Sequence, residues 1–199
     1  MQRWFDDHAD VCMKNKTHMG FAVPTASVNV VYQMCYLFSH YIDEGLCLRK
    51  LMDYYYALRV WHNDVTECKD LQSQGMWNEG LGTPVLSKEE VMAVLRSFGM
   101  GKFAGAMMFV LHEVFAMPPH YYICEPKEKE GKNLLEEIMK GGNFGQYDER
   151  GEELKNGGMV KHGLWKLKRV MRLVSSYLEE ALWEPVFWVW HLGWRLMNG

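Results

Sequence analysis

Apolar residues of this chain recur mainly three or four positions apart, and this spacing predicts an all-α fold. A first helix is predicted over residues 1–15. One face of it carries apolar and half-polar side chains, namely Trp4, Phe5, His8, Val11 and Cys12. Residues 19–23 are short and β-like, so we expect one short extended segment there. The expected fold is therefore predominantly helical.

Residues 24–62 have the pattern of a helical hairpin. Pro24 precedes Thr25 and Ser27, and either hydroxyl can cap a helix that runs to about Ile42. After a short Asp-Glu-Gly turn, a second apolar helix begins near Leu46 and continues through Trp61. A connection this short predicts antiparallel packing of the two helices.

The whole chain, residues 1–199, is predicted to form a single helical domain. A long polar segment rich in glycine interrupts the helical pattern after the hairpin, and a capping box formed by Ser87 and Glu90 restores it. The predicted divisions are N-terminal helices with the hairpin (1–63), a long loop (64–86), a helical middle (87–140), a glycine-rich loop (141–158), and basic and aromatic C-terminal helices (159–199).

Three polar residues in the hairpin are candidate site residues. Arg49 and Asp53 are four positions apart on one helix face, and an antiparallel hairpin brings His40 close to them. An arginine oriented by a carboxylate beside an imidazole can contact a phosphate or carboxylate. The same trio can instead act as a structural clamp. If the pair is buried, Asp53→Ala should cost about 1–3 kcal/mol, because it leaves Arg49 without its partner.

The loop 141–158 is a second candidate site, because glycine-rich backbone can present N–H groups to an anion. Its candidate anion-contacting residues are Asn143, Gly145 and Arg150. The loop lacks the pattern of a phosphate-binding P-loop or a dinucleotide fingerprint. The alternative interpretation is a helix C-cap followed by a turn.

The two C-terminal helices have different surfaces. The first is amphipathic, and its basic side chains are Lys161, Lys166, Lys168, Arg169 and Arg172. It can bind an anionic surface, or its charges can simply face solvent. The second carries Trp183, Phe187, Trp190 and Trp194 at helical spacing. We interpret these aromatic residues as core or as an interface with a partner.

Composition narrows the functional classes. Apolar residues make up 48% of the chain and aromatic residues 14%, which is enough for a packed core. A net charge of −3 gives no electrostatic footprint for nucleic acid. Five cysteines without a CxxC pair indicate free thiols in a reducing, cytoplasmic setting, and the absence of paired ligand spacings predicts no zinc site or other metal site.

No secretory signal is predicted, because the first residues are charged and lack an apolar core region. The apolar run at 185–197 is shorter than the roughly 20 residues that a spanning helix needs, so we expect no membrane partner.

Several segments together carry a family resemblance. They are RWFDDHAD, VPTASVNVVYQMCYLFSHYIDEGLCLRKLMDYYYAL, GGNFGQYDER and ALWEPVFWVWHLGWR. The chain resembles the C-terminal, helical portion of a Bacteroidetes-type nucleotidyltransferase family protein of the kind found in polysaccharide loci. The resemblance implies that His40, Arg49 and Asp53 lie on the substrate or nucleotide side of an active site.

The chain departs from that family in its catalytic residues. It has no Gly-Ser turn followed by a DxD carboxylate pair, and such carboxylates hold Mg²⁺ against the triphosphate. The resemblance therefore implies a part that is inactive alone and has no cofactor of its own. Mg²⁺ and a nucleoside triphosphate are expected only with a catalytic domain N-terminal to Met1.

Two kinds of partner and two functions follow from these patterns. The expected partners are that catalytic domain or a second copy bound through the tryptophan-rich helix. The alternative function is a helical module that binds a protein or an anionic polymer.

Overall fold

The computed structural model describes residues 1–43, 45–73 and 85–141, and within these ranges the prediction of an all-α fold is confirmed. The described residues form six α-helices and one short 3₁₀ helix, with no strand. The elements are α1 (Gln2–Lys14), α2 (Ala26–Asp43), α3 (Leu48–Ser73), α4 (Lys88–Ser97), α5 (Gly101–Phe115), η1 (Pro119–Tyr121) and α6 (Glu128–Gly141).

Between α1 and α2 the chain makes a tight reversal. Thr17 N donates to Phe21 O at 2.9 Å, and Asn15 O accepts from Val23 N at 2.9 Å. Lys16 and Ala22 form an isolated antiparallel bridge. The extended segment expected at 19–23 is thus part of a small turn rather than a strand.

Helices α2 and α3 form the antiparallel hairpin that the sequence predicts. Near the turn, Lys50 Nζ lies 4.8 Å from the centre of the Tyr36 ring. At the far end, Ser27 and Trp61 both bond to the backbone of Leu86: Leu86 N donates to Ser27 Oγ at 2.8 Å, and Trp61 Nε1 donates to Leu86 O at 3.1 Å. Early α2 therefore lies opposite the middle of α3, and late α2 lies opposite the start of α3.

The two candidate caps of α2 have separate roles. Thr25 is the cap, because its Oγ1 accepts from Val28 N at 3.3 Å. Ser27 is only 1% exposed, and its hydroxyl instead binds the backbone of Leu86, in the segment that leads into α4.

The predicted long loop at 64–86 is wrong over its first ten residues, because α3 continues to Ser73. Val65 is buried, so a further turn of the helix packs on the core. Thr66 Oγ1 also donates to His62 O at 2.8 Å, within the helix. Polar composition suggested a loop, but no glycine or proline occurs before Gly75 to end the helix.

Helix α5 lies at the centre of the described bundle. Its side chains from Phe103 to Met108 are all buried, and Val110 and Leu111 are buried as well. From α2, the rings of Phe38 and Tyr41 pack on Phe103, with ring centres 5.0 and 5.7 Å apart. Burial on several sides explains why this helix has almost no polar face.

The predicted capping box is confirmed at the start of α4. Ser87 Oγ accepts from Glu90 N at 3.2 Å, and Glu90 Oε2 accepts from Ser87 N at 2.7 Å. This reciprocal pair fixes where α4 begins, directly after the Leu86 contacts.

Helix α6 approaches α5 closely at a glycine. A Cβ added at Gly131 would overlap the Phe109 side chain, and one added at Gly105 would overlap Lys127 Cγ and lie 3.3 Å from the Glu125 carbonyl oxygen. Lys127 N also donates to Gly105 O at 2.9 Å. The two glycines therefore set the separation of α5 and α6.

We expect Gly131→Ala to destabilise the chain by about 1–3 kcal/mol, although alanine is the better helix former. The cause is overlap with Phe109, which forces α6 away from α5. Urea denaturation would measure the effect. Gly101→Ala, in the first turn of α5, is the control and should cost less, because its added Cβ would meet only the exposed Arg96 side chain, at 3.2 Å. Equal or higher stability of Gly131→Ala would contradict the close approach.

Candidate functional site

The predicted polar trio is not a buried cluster. Arg49 and Asp53 are both exposed on α3, and His40 is half-buried in the last turn of α2. Ion pairs on α6 join Lys132 to Glu128 and Lys140 to Glu136, whereas none joins Arg49 to Asp53. The condition under which Asp53→Ala would be costly, a buried pair, is therefore not met. Ligand binding by the trio stays a prediction.

His40 has a defined position at the hairpin turn. Its carbonyl oxygen accepts from Gly45 N at 2.7 Å, and Gly45 has a φ of +97°, which favours glycine. Its ring meets the Tyr36 ring edge-on, with centres 4.3 Å apart. The imidazole thus extends an aromatic surface on α2 that includes Tyr36, the ring over which Lys50 lies.

That aromatic surface connects three elements. Trp4 stacks on His8 with ring centres 4.1 Å apart and packs edge-on against Phe98 at 6.1 Å. Phe5 reaches Tyr32 at 6.2 Å, and Tyr32 stacks with Tyr36 at 6.3 Å. No residue of α1 is fully buried, and these ring contacts pack α1 against Tyr32 of α2 and against Phe98.

An apolar stripe runs along the solvent face of α3. Its members are spaced four residues apart and are each 41–55% exposed: Leu48, Met52, Tyr56 and Val60. The opposite face of the same helix is the core face, with Leu51, Tyr54, Leu58 and Trp61 fully buried. We call the exposed set the α3 stripe. Because residues four apart are neighbours on a helix surface, the four side chains form one continuous apolar surface rather than scattered exposed residues.

Charged residues border the α3 stripe. Arg49 and Asp53 lie one turn apart along one edge. Arg59 lies on the other edge, with its guanidinium carbon 5.9 Å from the Tyr55 ring centre and 5.6 Å from that of Tyr56. An apolar stripe with charged edges is the usual pattern of a helix-binding surface.

A second cluster joins α3 to η1. The His62 ring lies 5.3 Å from the His120 ring and 5.1 Å from the Tyr121 ring, measured between centres. Tyr121 also packs edge-on against Tyr55 at 6.2 Å. The backbone of His120 is held by Lys88, whose Nζ donates to His120 O at 2.7 Å.

The half-buried thiols of Cys35 and Cys124 lie near the fully buried phenol of Tyr54, between α2, α3 and the segment before α6. Burial raises the pKa of Cys35 from 9.0 to about 12 and that of Cys124 from 9.0 to about 11. Burial also raises the pKa of Tyr54 well above 10.0, and the thiolate forms of Cys124 and Cys35 would raise it further. The Tyr54 hydroxyl has no hydrogen-bond partner among the described residues. These thiols are held protonated, so they are poor nucleophiles and metal ligands.

Several predicted features fall outside the described residues: the anion-contacting loop with Asn143, Gly145 and Arg150, the basic helix and the aromatic helix. Within the described ranges, no group of three or more His, Cys, Asp or Glu side chains is arranged to hold a metal ion. The helices of those ranges include none with the length and apolar character needed to cross a membrane.

Comparison with protein-family models, with curated proteins and with solved structures finds no match for this chain. The resemblance to nucleotidyltransferases therefore stays a prediction from the sequence.

Sequence reasoning missed two features of this surface. It grouped Leu48 and Met52 with the buried Leu51 and Leu58 as one apolar helix, although the four-residue spacing of the first pair continues to Tyr56 and Val60. It also found no relation between His62 and His120, since no local spacing connects them.

Asp53→Ala should change the free energy of unfolding by no more than about 0.5 kcal/mol, because an exposed side chain without a partner contributes little. Urea denaturation at low protein concentration would measure it. Leu51→Ala, on the same turn but fully buried, should cost about 2–5 kcal/mol. A loss above 1 kcal/mol for Asp53→Ala would restore the structural clamp.

Stability should fall as pH rises above about 9. The pKa of Cys35 is raised in the folded chain, so the unfolded chain releases its thiol proton first and gains stability relative to the folded one. The stability that the protonated Cys35 thiol contributes is fully present below pH 9 and is lost as the pH rises towards 12. Urea midpoints between pH 8 and 11 should decline less steeply for Cys35→Ala, whereas the exposed Ser39→Ala keeps the wild-type slope. Equal slopes for all three would contradict the shift.

Proposed function

We propose that this chain is a helical protein-interaction module that binds a second copy of itself through the α3 stripe. The observation that supports the proposal is the run of Leu48, Met52, Tyr56 and Val60 on the face of α3 opposite the core. Burying such side chains in an interface is favourable by roughly 25 cal/mol for each Å² removed from water, before the costs of association.

The charges beside the stripe favour a second copy over an unrelated partner. When two identical helices pack antiparallel about a two-fold axis, each edge of one meets the same edge of the other. Arg49 and Asp53 share one edge, so the arginine of one copy comes opposite the aspartate of the second, and the reverse. The contact is therefore self-complementary in charge.

The same arrangement matches the apolar positions. Packing centred between positions 51 and 52 keeps Arg49 within reach of Asp53 of the second copy. It also brings the two Met52 side chains together and Leu48 of each copy near Tyr56 of the second. Leucine, methionine and tyrosine at such positions interdigitate as in other antiparallel helix pairs. Arg59, on the opposite edge, remains over the Tyr55 and Tyr56 rings.

Sedimentation of the full chain across a dilution series tests the proposal. We expect a concentration-dependent dimer that Met52→Lys weakens at least tenfold, because the ammonium group would lie in the apolar centre of the contact. Met139→Lys is the matched control: Met139 is an exposed methionine on α6, and its replacement should leave the association unchanged.

Charge reversal provides a second and more specific test. Arg49→Asp and Asp53→Arg should each weaken the dimer, and the double variant should restore it, because it exchanges the two signs on the same edge. A strictly monomeric wild type would overturn the proposal. Association that Met52→Lys leaves unchanged would also overturn it, by assigning the contact to another surface such as residues 159–199.

A further inference from the structure

The histidines of α3 and η1 have a relation that no sequence spacing suggests. His62 is half-buried near the middle of α3, and His120 is exposed in η1, yet their ring centres are 5.3 Å apart. Both lie on the other side of α3 from the Arg49 and Asp53 edge, so they are separate from the proposed dimer contact.

This separation matches two imidazoles that share one metal ion. With a metal–nitrogen bond of about 2.0–2.1 Å, the ring centre lies about 3.2 Å from the metal. Two such rings at a near-tetrahedral angle have centres about 5.2 Å apart, close to the observed 5.3 Å. Ordinary ring contacts also occur at this distance, and the two rings are tilted by 50°, so the separation permits a shared metal ion without requiring one.

The backbone around both rings is held in place. His62 lies within a long helix one residue after the fully buried Trp61. The carbonyl of His120 accepts from Lys88 Nζ at 2.7 Å, and the neighbouring Tyr121 ring packs on both His62 and Tyr55. Ligands fixed by their own surroundings lose less entropy when a metal binds.

We propose that His62 and His120 form a two-imidazole site for a divalent transition-metal ion such as Zn²⁺ or Ni²⁺. Imidazole is the ligand that these ions share, and oxygen-preferring Mg²⁺ and Ca²⁺ should not bind there. Two protein ligands leave the other coordination positions to water. The bound ion would link η1 to α3 and stabilise the folded chain.

Thermal unfolding of the full chain with NiCl₂, with ZnCl₂ and with MgCl₂ tests the site. Nickel and zinc should raise the unfolding midpoint and magnesium should not. At a free metal concentration 100 times the dissociation constant, the ratio of folded to unfolded chain should rise about 100-fold, and a chelator should reverse the change.

The variants assign the response to the two rings. His120→Gln should lose the nickel and zinc response while keeping the midpoint measured without metal, because its side chain is exposed. His62→Gln should lose the response too, and the exposed His18→Gln should keep it.

Two results would overturn the site. One is a wild-type chain with no nickel or zinc response. The other is a response that His120→Gln leaves intact, which would assign metal binding to the cysteines or to histidines elsewhere in the chain.

Discussion

The burial of α5 is the constraint on which the rest of the described structure depends. Its residues Phe103 to Met108 have no exposed face, so α2, α3, α4 and α6 must each supply apolar side chains around it. The aromatic side chains of α2 cover one side through Phe38 and Tyr41, and Gly131 lets α6 approach closely on another. Each helix around α5 therefore has a fixed inner face, and the side chains on its outer face are exposed to solvent.

Helix α3 shows the consequence most clearly. Its inner face is fully used by the core and by the bond from Trp61 to Leu86, so the helix cannot rotate to hide Leu48, Met52, Tyr56 and Val60. An apolar surface that cannot turn inward is one that a partner can cover. The α3 stripe follows from the packing of the core, and its charged edges restrict what can bind.

Burial also affects the ionisation of two thiols and one phenol near the core. Tyr54 is fully buried, and Cys35 and Cys124 are half-buried near it. Burial is the main cause of their raised pKa values, which suppresses the reactive thiolate forms. The accessible ionisable side chains described above lie at the hairpin turn, namely His40, Arg49 and Asp53, and between α3 and η1, namely His62 and His120.

The sequence by itself determined the helices, because spacing and capping are local properties. The face of α1, the capping box of α4 and the antiparallel hairpin were all predictable from Trp4, Ser87 and the short turn after α2. The end of α3 was mispredicted, since polar residues after His62 suggested a loop although no residue there breaks a helix.

Only the tertiary structure decided which apolar residues are inside. Leu48 and Leu51 are the same residue type three positions apart, and one is 43% exposed while the other is fully buried. The difference depends on the direction from which α2, α5 and η1 approach, which local spacing does not contain. The packing of whole helices also leaves Arg49 and Asp53 exposed rather than in a buried clamp. It brings His62 next to His120, although the two residues are far apart in the sequence.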